Sequence, residues 1–324
     1  MAADFLFAAV CASWKKAIFA DKVKQLFQNT YNNSEMEELN NGKISIRTRR
    51  LSAELCSIRN EETGEELMWQ ADPKIWGRHC PMLFPTVGSV WNGKYRHRGV
   101  IHEMSKHGFL QNTEFELKSH ESDSITYITH DTAETRAIFP FKFSLEQKYT
   151  LVNKTVKVEW TVRNVGCDDM PFHIGGHPSF YFRGFKEGDD VKGYLQFDKA
   201  NPESATVGSG GCLGDERYVL PAPEGLMALH DEDFKVDSII MDHDQVHAVT
   251  LLDKERKPVV KVSSGAPVFL VWSPWGVNAP FVCLEPWYGL CDKQGYEGEF
   301  SQRPYTNVAP AYGEWHGGYD IEIM

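Results

Sequence analysis

The sequence predicts an all-β fold, a large antiparallel β-sandwich preceded by a short N-terminal helix. Three observations support this prediction: apolar and polar residues alternate beyond residue 43, turn residues separate the alternating runs, and helical periodicity is almost absent after that point. Alternation with a period of two is typical of strands that bury one face. Many short strands of this kind in a chain of 324 residues favour a sandwich.

The N-terminal segment has a different pattern. Apolar residues recur there at every fourth position, which predicts an amphipathic helix, and the polar stretch 28–42 predicts a linker. The residues at this spacing are Leu6, Val10, Trp14 and Ile18. We expect residues 1–36 to form a packed helical extension and linker rather than a targeting signal, since no basic segment precedes the apolar run. We expect residues 37–324 to form the sandwich domain.

The strand predictions follow the chain from residue 44 to its end. Residues 143–151 and 156–162 have the clearest alternation, and we expect Asn153, Lys154 and Thr155 to join them as a hairpin. The remaining strand predictions are 44–48, 53–58, 126–130, 248–252, 259–262, 268–272, 281–284 and 319–323.

Bulk composition narrows the possible partners. The net charge of −11 disfavours nucleic acid and anionic membranes, and the sequence has no apolar run of transmembrane length. Seven cysteines without CxxC spacing argue against a disulfide framework and a zinc site, and favour a reducing compartment. We therefore expect a cytoplasmic protein, a monomer or homodimer, that acts on a small molecule.

Three segments place a histidine or a glutamate among glycines, prolines and aromatic residues: 105–109, 175–180 and 284–289. Such neighbours form rigid, partly desolvated pockets in which pKa values shift. Each histidine alone is also compatible with a hydrogen-bonded core residue, and Glu285 with a solvated loop charge. The apolar residues before Glu285 favour burial, which is costly for an unused carboxylate.

Blocks of sequence around these residues are similar to the aldose 1-epimerase family, particularly its LacX-type branch. The similarity covers roughly residues 37–324, and its blocks occur in the family's order. The blocks are WGRHCPMLFPTVGSVWNGKYRHRGVIHEMSKHGFLQNTEFEL at 76–117, PFHIGGHPSF at 171–180, WSPWGVNAPFVCLEPWYGLCD at 272–292 and the closing GEWHGGYDIEI. The resemblance implies a galactose mutarotase-like supersandwich with a sugar-binding groove on one sheet.

The resemblance also implies roles for individual residues. His177 matches the family's general acid, Glu285 its general base and His107 the histidine that holds the sugar. Asp237 is similar to the aspartate that hydrogen-bonds sugar hydroxyls, although Asp242 and Asp244 lie close by in the sequence.

The sequence departs from the family at one position of the groove. Ser89 stands where many members carry an arginine, which leaves Arg78 as the best candidate for a guanidinium at the pocket. Trp275 and Trp287 are candidates for stacking on the sugar, although either could equally fill the core.

The resemblance implies interconversion of the α and β anomers of an aldose by acid and base, without a cofactor or a metal. Two alternatives remain open at this stage. A hexose-6-phosphate 1-epimerase would need cations at the groove, for which Arg78, Lys94, Arg96 and Arg98 are candidates. A non-catalytic sugar-binding module would use the same groove without accelerating anomer exchange.

Overall fold

The computed structural model describes residues 36–324, so the predicted N-terminal helix lies outside the described residues and stays a prediction. The boundary that we predict after residue 36 rests on that helix and stays a prediction as well. Within the described part, no helix is long and apolar enough to cross a membrane.

Two large sheets dominate residues 36–324, and neighbouring strands within each of them run antiparallel. The nine-stranded sheet has the spatial order β16 (Leu226–Leu229), β13 (Gly193–Phe197), β18 (Ala248–Leu252), β19 (Pro258–Ser263), β23 (Glu314–Ile323), β9 (Thr155–Asn164), β8 (Phe143–Val152), β7 (Ser124–His130) and β6 (Glu116–His120). The seven-stranded sheet has the order β11 (Ile174–Gly175), β21 (Phe281–Tyr288), β20 (Val268–Trp272), β17 (Ile239–Met241), β14 (Glu203–Val207) and β15 (Leu213–Val219), with β12 (Ser179–Tyr181) also paired to β21.

Smaller elements surround these sheets. A three-stranded sheet contains β1 (Met36–Asn40), β2 (Ile44–Arg49) and β3 (Leu55–Asn60), and two strand pairs join β4 (Lys94–His97) to β5 (Val100–Glu103) and β10 (Met170–Phe172) to β22 (Asn307–Ala309). The α-helix in the described part, α1, spans Ala133–Ile138, and the Thr132 hydroxyl caps its first turn by accepting from the Thr135 N–H.

The main hydrophobic core combines side chains of the two large sheets. Val282 and Leu284 of β21 belong to this core together with Trp160 of β9 and Val260 of β19. Because successive side chains of a strand point to opposite faces, Glu285 of β21 lies on the face turned away from this core. The architecture is therefore the predicted β-sandwich. The face of the seven-stranded sheet that carries Glu285 is not part of the main core.

The predicted strands of the second half are confirmed at 248–252 and 268–272, and the predicted hairpin is confirmed with a shorter turn. Thr155 already pairs with Val152, so Asn153 and Lys154 alone form the turn, with Asn153 at a positive φ of 56°. Asparagine tolerates this left-handed conformation better than most residues, which explains why the turn needs no third residue.

Strand β21 continues four residues past its predicted end at Leu284. Pro286 lies within this continuation, although proline cannot donate a hydrogen bond within a sheet. The Pro286 carbonyl accepts a hydrogen bond from the Gly176 N–H at 3.2 Å. The carbonyl and the nitrogen of one residue point to the same side of an antiparallel strand, so the Pro286 nitrogen also points towards the segment between β11 and β12, which leaves the sheet there. The missing N–H therefore falls where no strand would have received it.

Candidate active site

An open cavity with a volume of about 200 Å³ lies on the second face of the seven-stranded sheet. Alternate residues of three adjacent strands form its floor: Ile240 of β17, Leu270 and Trp272 of β20, and Glu285 and Trp287 of β21. The other lining residues are Trp76, Arg78, Pro81, Gly88, Lys106, His107, Gln111, His177, Gly211, Asp237, Ser238 and Cys291. The three titratable residues singled out in the sequence therefore meet in one cavity.

His177 and Glu285 form a contact pair on the wall of this cavity. Nε2 of His177 lies 3.2 Å from Oε1 of Glu285, and the two side chains are 8% and 1% exposed. His177 lies in the segment that leaves the sheet between β11 and β12, directly beside the antiparallel strand that carries Glu285. Two residues separated by 108 positions in the sequence therefore meet because their strands are neighbours.

Burial sets the protonation of this pair. Desolvation raises the pKa of Glu285 well above its ordinary value, against a lowering effect of the positive charge of Lys106. Desolvation also lowers the pKa of His177 to about 3. Oε1 of Glu285 and Nδ1 of His177 are buried and have no hydrogen-bond partner among the described residues. The pair therefore retains polar atoms that a ligand can satisfy.

Trp287 orients the carboxylate of Glu285. Its indole Nε1 donates to Oε2 of Glu285 at 3.1 Å, two residues along the same face of β21. The indole lies so close to the neighbouring strand that a Cβ at Gly175 would come within 2.7 Å of it. Glycine at position 175 therefore gives the indole room to reach the carboxylate.

A backbone contact fixes the tautomer of His107. The Gly88 N–H donates to Nδ1 of His107 at 3.0 Å, so a neutral ring carries its proton on Nε2. His107 adopts a positive φ of 66°, and the following Gly108 has a φ of 71° with the carbonyl of Phe84 where a Cβ would be. The imidazole rings of His107 and His177 lie 5.6 Å apart. Gly108 is thus required in order to present a histidine donor beside His177 and Glu285.

Asp237 lies on the cavity wall, as the resemblance implied, and faces a lysine. Oδ2 of Asp237 is 4.0 Å from Nζ of Lys106, and both side chains are partly exposed. Asp237 has a φ of 110°, so its backbone adopts a conformation that is rare for side-chain-bearing residues. The two opposite charges form a polar side of the cavity that suits hydroxyl groups.

Arg78 also lines the cavity, and its guanidinium is held by protein groups. It donates to the carbonyl of Gln111 at 2.5 Å and to the side chain of Asn112. Arg78 therefore lies at the cavity, as the sequence predicted. Its hydrogen bonds to Gln111 and Asn112 hold the guanidinium in place.

One sequence-based expectation differs from the arrangement of the cavity. Trp275 does not line it: the ring is 46% exposed, with Nε1 3.4 Å from a Glu232 oxygen and Nζ of Lys235 5.7 Å from the ring centre. Trp272, three residues earlier, lies on the cavity floor because it belongs to β20, whereas Trp275 follows the end of that strand.

Ser89 is buried beside the cavity, packed against the 208–211 loop. A Cβ at Gly211 would come within 2.9 Å of its hydroxyl oxygen. The alternative cations do not line the cavity: Arg98 pairs with Asp168 at 2.9 Å, and Lys94 and Arg96 line a separate pocket.

Sequence reasoning missed two residues that contact the site. The indole of Trp76 stacks on the imidazole of His177, with ring centres 4.9 Å apart and an interplanar angle of 26°. Lys106 reaches the cavity from the position before His107. Both lie inside the blocks that carried the resemblance, but only tertiary contact distinguishes them from surface residues.

Cysteine, histidine and carboxylate side chains approach one another twice in the described part of the chain. One ligand atom each from His177, Cys283 and Glu285 lies within 4.8 Å of the others, and all three residues are buried. Glu54, Cys56 and His79 form a second group, in which Glu54 is already paired with the guanidinium of Arg49.

Comparisons with known proteins agree with this geometry. A family model described as aldose 1-epimerase matches residues 37–319. The plasmid-encoded protein LacX of Lactococcus lactis subsp. lactis is 29% identical over 306 residues, which cover 89% of this chain and 99% of LacX.

Solved structures show the same fold. A galactose mutarotase related enzyme from Lactobacillus acidophilus is 30% identical with a TM-score of 0.81, over 90% of this chain and 97% of that one. A galactose mutarotase-like protein from Lactobacillus casei is 26% identical with a TM-score of 0.84, over 90% and 100% of the two chains. The β-sandwich predicted from the sequence is thus the galactose mutarotase-like fold.

Proposed function

This chain belongs to the aldose 1-epimerase family, and we propose that it interconverts the α and β anomers of an aldose by acid–base ring opening and reclosure. One observation carries the proposal: His177 and Glu285 face each other at 3.2 Å on the wall of an open cavity. The likeness to a galactose mutarotase related enzyme supports a sugar as the substrate.

The adjacency of the two groups suits the reaction. A cyclic hemiacetal carries its hydroxyl oxygen, O1, and its ring oxygen, O5, on the same carbon. An acid and a base that lie close together can therefore act on both oxygens at once. The contact pair on the cavity wall fits two oxygens on a single carbon.

The proton transfers balance over one catalytic cycle. Glu285 accepts the proton of the O1 hydroxyl while His177 donates a proton to O5, the C1–O5 bond breaks and C1 becomes an aldehyde. Rotation about C1–C2 exposes the other face of the carbonyl, and O5 attacks it. His177 then recovers its proton from O5 while Glu285 returns one to O1. Each positioned transfer contributes about 10²–10⁴-fold to the rate.

The shifted pKa values support a shared proton. Between the lowered pKa of His177 and the raised pKa of Glu285, the pair binds one proton in total. The form with charged imidazolium and carboxylate has the same proton count as the neutral form favoured by burial. The pair can therefore enter the cycle without exchanging a proton with solvent.

The remaining polar residues act on the sugar and its developing charge. The Nε2–H of neutral His107 and the ammonium of Lys106 stabilise negative charge on the reacting oxygens. Asp237 accepts hydrogen bonds from hydroxyl groups, and Trp76 and Trp272 offer apolar ring faces to the sugar. Each residue lines the same cavity as the pair.

Substitution of the pair tests the proposal. We expect Glu285→Gln and His177→Asn each to slow catalysed anomer exchange at least 100-fold, because each removes one positioned proton transfer. Exchange is measured by NMR saturation transfer on a panel of aldoses, with circular dichroism to verify folding. Glu232→Gln, which removes an exposed carboxylate outside the cavity, is the matched control and should retain the full rate.

Folded Glu285→Gln or His177→Asn protein with the wild-type exchange rate on every sugar would refute the assignment of the pair. Wild-type protein that binds an aldose without accelerating its exchange would instead identify a sugar-binding module.

A further inference from the structure

We propose that His177, Cys283 and Glu285 form a binding site for one zinc-like divalent metal ion, and that the bound ion inhibits the enzyme. The inhibition rests on the proposed epimerase activity, whereas the metal site does not. Cysteine spacing in the sequence argues against a zinc site, but here one cysteine joins a histidine 106 positions away.

Strand geometry brings the three ligands together. Cys283 and Glu285 are alternate residues of β21 and therefore point to the same face, beside the segment that carries His177. Their ligand atoms lie within 4.8 Å of one another. Ligand atoms on one tetrahedral zinc ion are separated by about 3.5 Å, given bonds of about 2.0–2.3 Å, so modest side-chain rotations complete the site.

An unpartnered oxygen of Glu285 also supports a ligand at this position. Oε1 of Glu285 is buried without a hydrogen-bond partner among the described residues, it lies 3.2 Å from Nε2 of His177, and Glu285 is 1% exposed. Three protein ligands leave one position of a tetrahedral ion for water. The cavity that His177 and Glu285 line supplies that position and a path for the ion.

Charge balance distinguishes this site from the second group of possible ligands. A divalent ion bound by the Cys283 thiolate, the Glu285 carboxylate and neutral His177 has no net charge, which suits a buried location. Glu54 of the second group already neutralises Arg49, so an ion there would leave uncompensated charge.

The bound ion would block the proposed reaction. Glu285 and His177 cannot accept or donate the substrate's protons while their lone pairs bind metal. The Cys283 thiol must lose its proton in order to bind the ion as a thiolate.

Cobalt absorption tests the site directly in the full-length protein after treatment with a chelator. We expect Co²⁺ to bind with a thiolate-to-metal charge-transfer band that Zn²⁺ abolishes by competition. Cys283→Ala should lose the band and weaken Zn²⁺ binding at least tenfold. Loss of a residue that only hydrogen-bonds to a metal ligand already weakens binding by about tenfold or more, so loss of a ligand should cost at least as much. Cys291→Ala, which removes a buried thiol lining the same cavity but outside the cluster, is the matched control and should keep the band.

The possible outcomes are distinct. Absence of the band in wild-type protein, or its persistence in folded Cys283→Ala, would overturn the site. If Cys283→Ala does not fold, Glu285→Gln provides the second test and must weaken Co²⁺ and Zn²⁺ binding at least tenfold.

Activity separates the two parts of the proposal. Zn²⁺ that binds through Cys283 without slowing anomer exchange would refute the inhibition alone. A protein that binds Zn²⁺ in this way but exchanges no aldose would leave the metal site standing and refute the proposed epimerase function.

Discussion

Glu285 is nearly sealed from solvent, and its two carboxylate oxygens have different neighbours. One accepts a hydrogen bond from the indole of Trp287, and the other faces the imidazole of His177. A buried carboxylate is costly unless it is paired or used. This asymmetric environment leaves one oxygen for chemistry while the other is held in place.

Trp287 is therefore expected to act as a positioning residue. Trp287→Phe keeps an aromatic ring against Gly175 but removes the donor, and we expect kcat to fall about tenfold or more with little change in KM, because a hydrogen bond to a charged group contributes about 1.5–3 kcal/mol. The pKa of Glu285 should rise further, since the Trp287 hydrogen bond lowers it. Anomer-exchange rates measured over a range of pH check both effects.

Trp275→Phe is the matched control for this prediction, because Trp275 lies outside the cavity. An equal loss of kcat in Trp275→Phe would contradict the positioning role and support the sequence-based prediction that Trp275 contacts sugar. Unchanged kcat and an unchanged pH profile in Trp287→Phe would show that the indole only fills space.

The resemblance to the family was enough to indicate His107, His177, Asp237 and Glu285, and the structure brings all four to one cavity. The same reasoning could not separate Trp272 from Trp275. The difference depends on where a strand ends, and strand ends are the least certain part of a sequence-based prediction.

At the scale of elements, the loop between β3 and β4 depends on one buried carboxylate. Glu54 accepts from the backbone N–H groups of His79 (2.8 Å) and Cys80 (3.0 Å), and it pairs with Arg49. The anchored residues follow directly after Trp76 and Arg78, which line the cavity. Glu54 thus holds one wall of the site without touching the cavity.

Replacement of Glu54 should destabilise the fold strongly. We expect Glu54→Gln to lower the free energy of unfolding by about 3–5 kcal/mol at neutral pH, because it removes one partner of the buried ion pair with Arg49. Urea denaturation measures this change. Glu62→Gln, which breaks an exposed pair with Lys154, is the control and should cost at most about 1 kcal/mol. Similar losses in the two variants would contradict the anchoring role.

Acid stability provides a second readout of Glu54. Burial alone would raise its pKa, but the hydrogen bond with His79 and the charge of Arg49 lower it to about 2. A carboxyl whose pKa is lower in the folded state stabilises the fold above its unfolded pKa and loses that contribution as pH falls. Between pH 4.5 and about 2, the wild-type protein should therefore lose stability that Glu54→Gln lacks from the start.

For the molecule as a whole, the sequence predicted the class of fold but not the order of its strands. Alternation in β8 and β9 indicated a hairpin, and β8 and β9 are indeed neighbours. Nothing local indicated that β23 lies between β9 and β19, because that arrangement depends on pairing between distant segments. The contact between His177 and Glu285 also depends on pairing between distant segments.

The charge of the whole chain bears on the choice of substrate. With a net charge of −11, and with Lys106 facing Asp237 and Arg78 donating to Gln111, we expect neutral aldoses to be preferred over their 6-phosphates. We expect kcat/KM for glucose to exceed that for glucose 6-phosphate at least about tenfold at low ionic strength. The difference should shrink with added salt, which screens the repulsion.

NMR exchange measurements on both sugars at two salt concentrations check this expectation. A faster rate on glucose 6-phosphate, weakened by salt, would instead favour the hexose-6-phosphate alternative.

The contact between His177 and Glu285 spans 108 positions of the chain, and it exists only when β21 lies beside β11 and β12. Pairing of such distant segments is slow compared with the closure of a hairpin such as β8–β9. During refolding, strand content should therefore recover before anomer-exchange activity does. Chains in which β21 has not yet paired should be inactive.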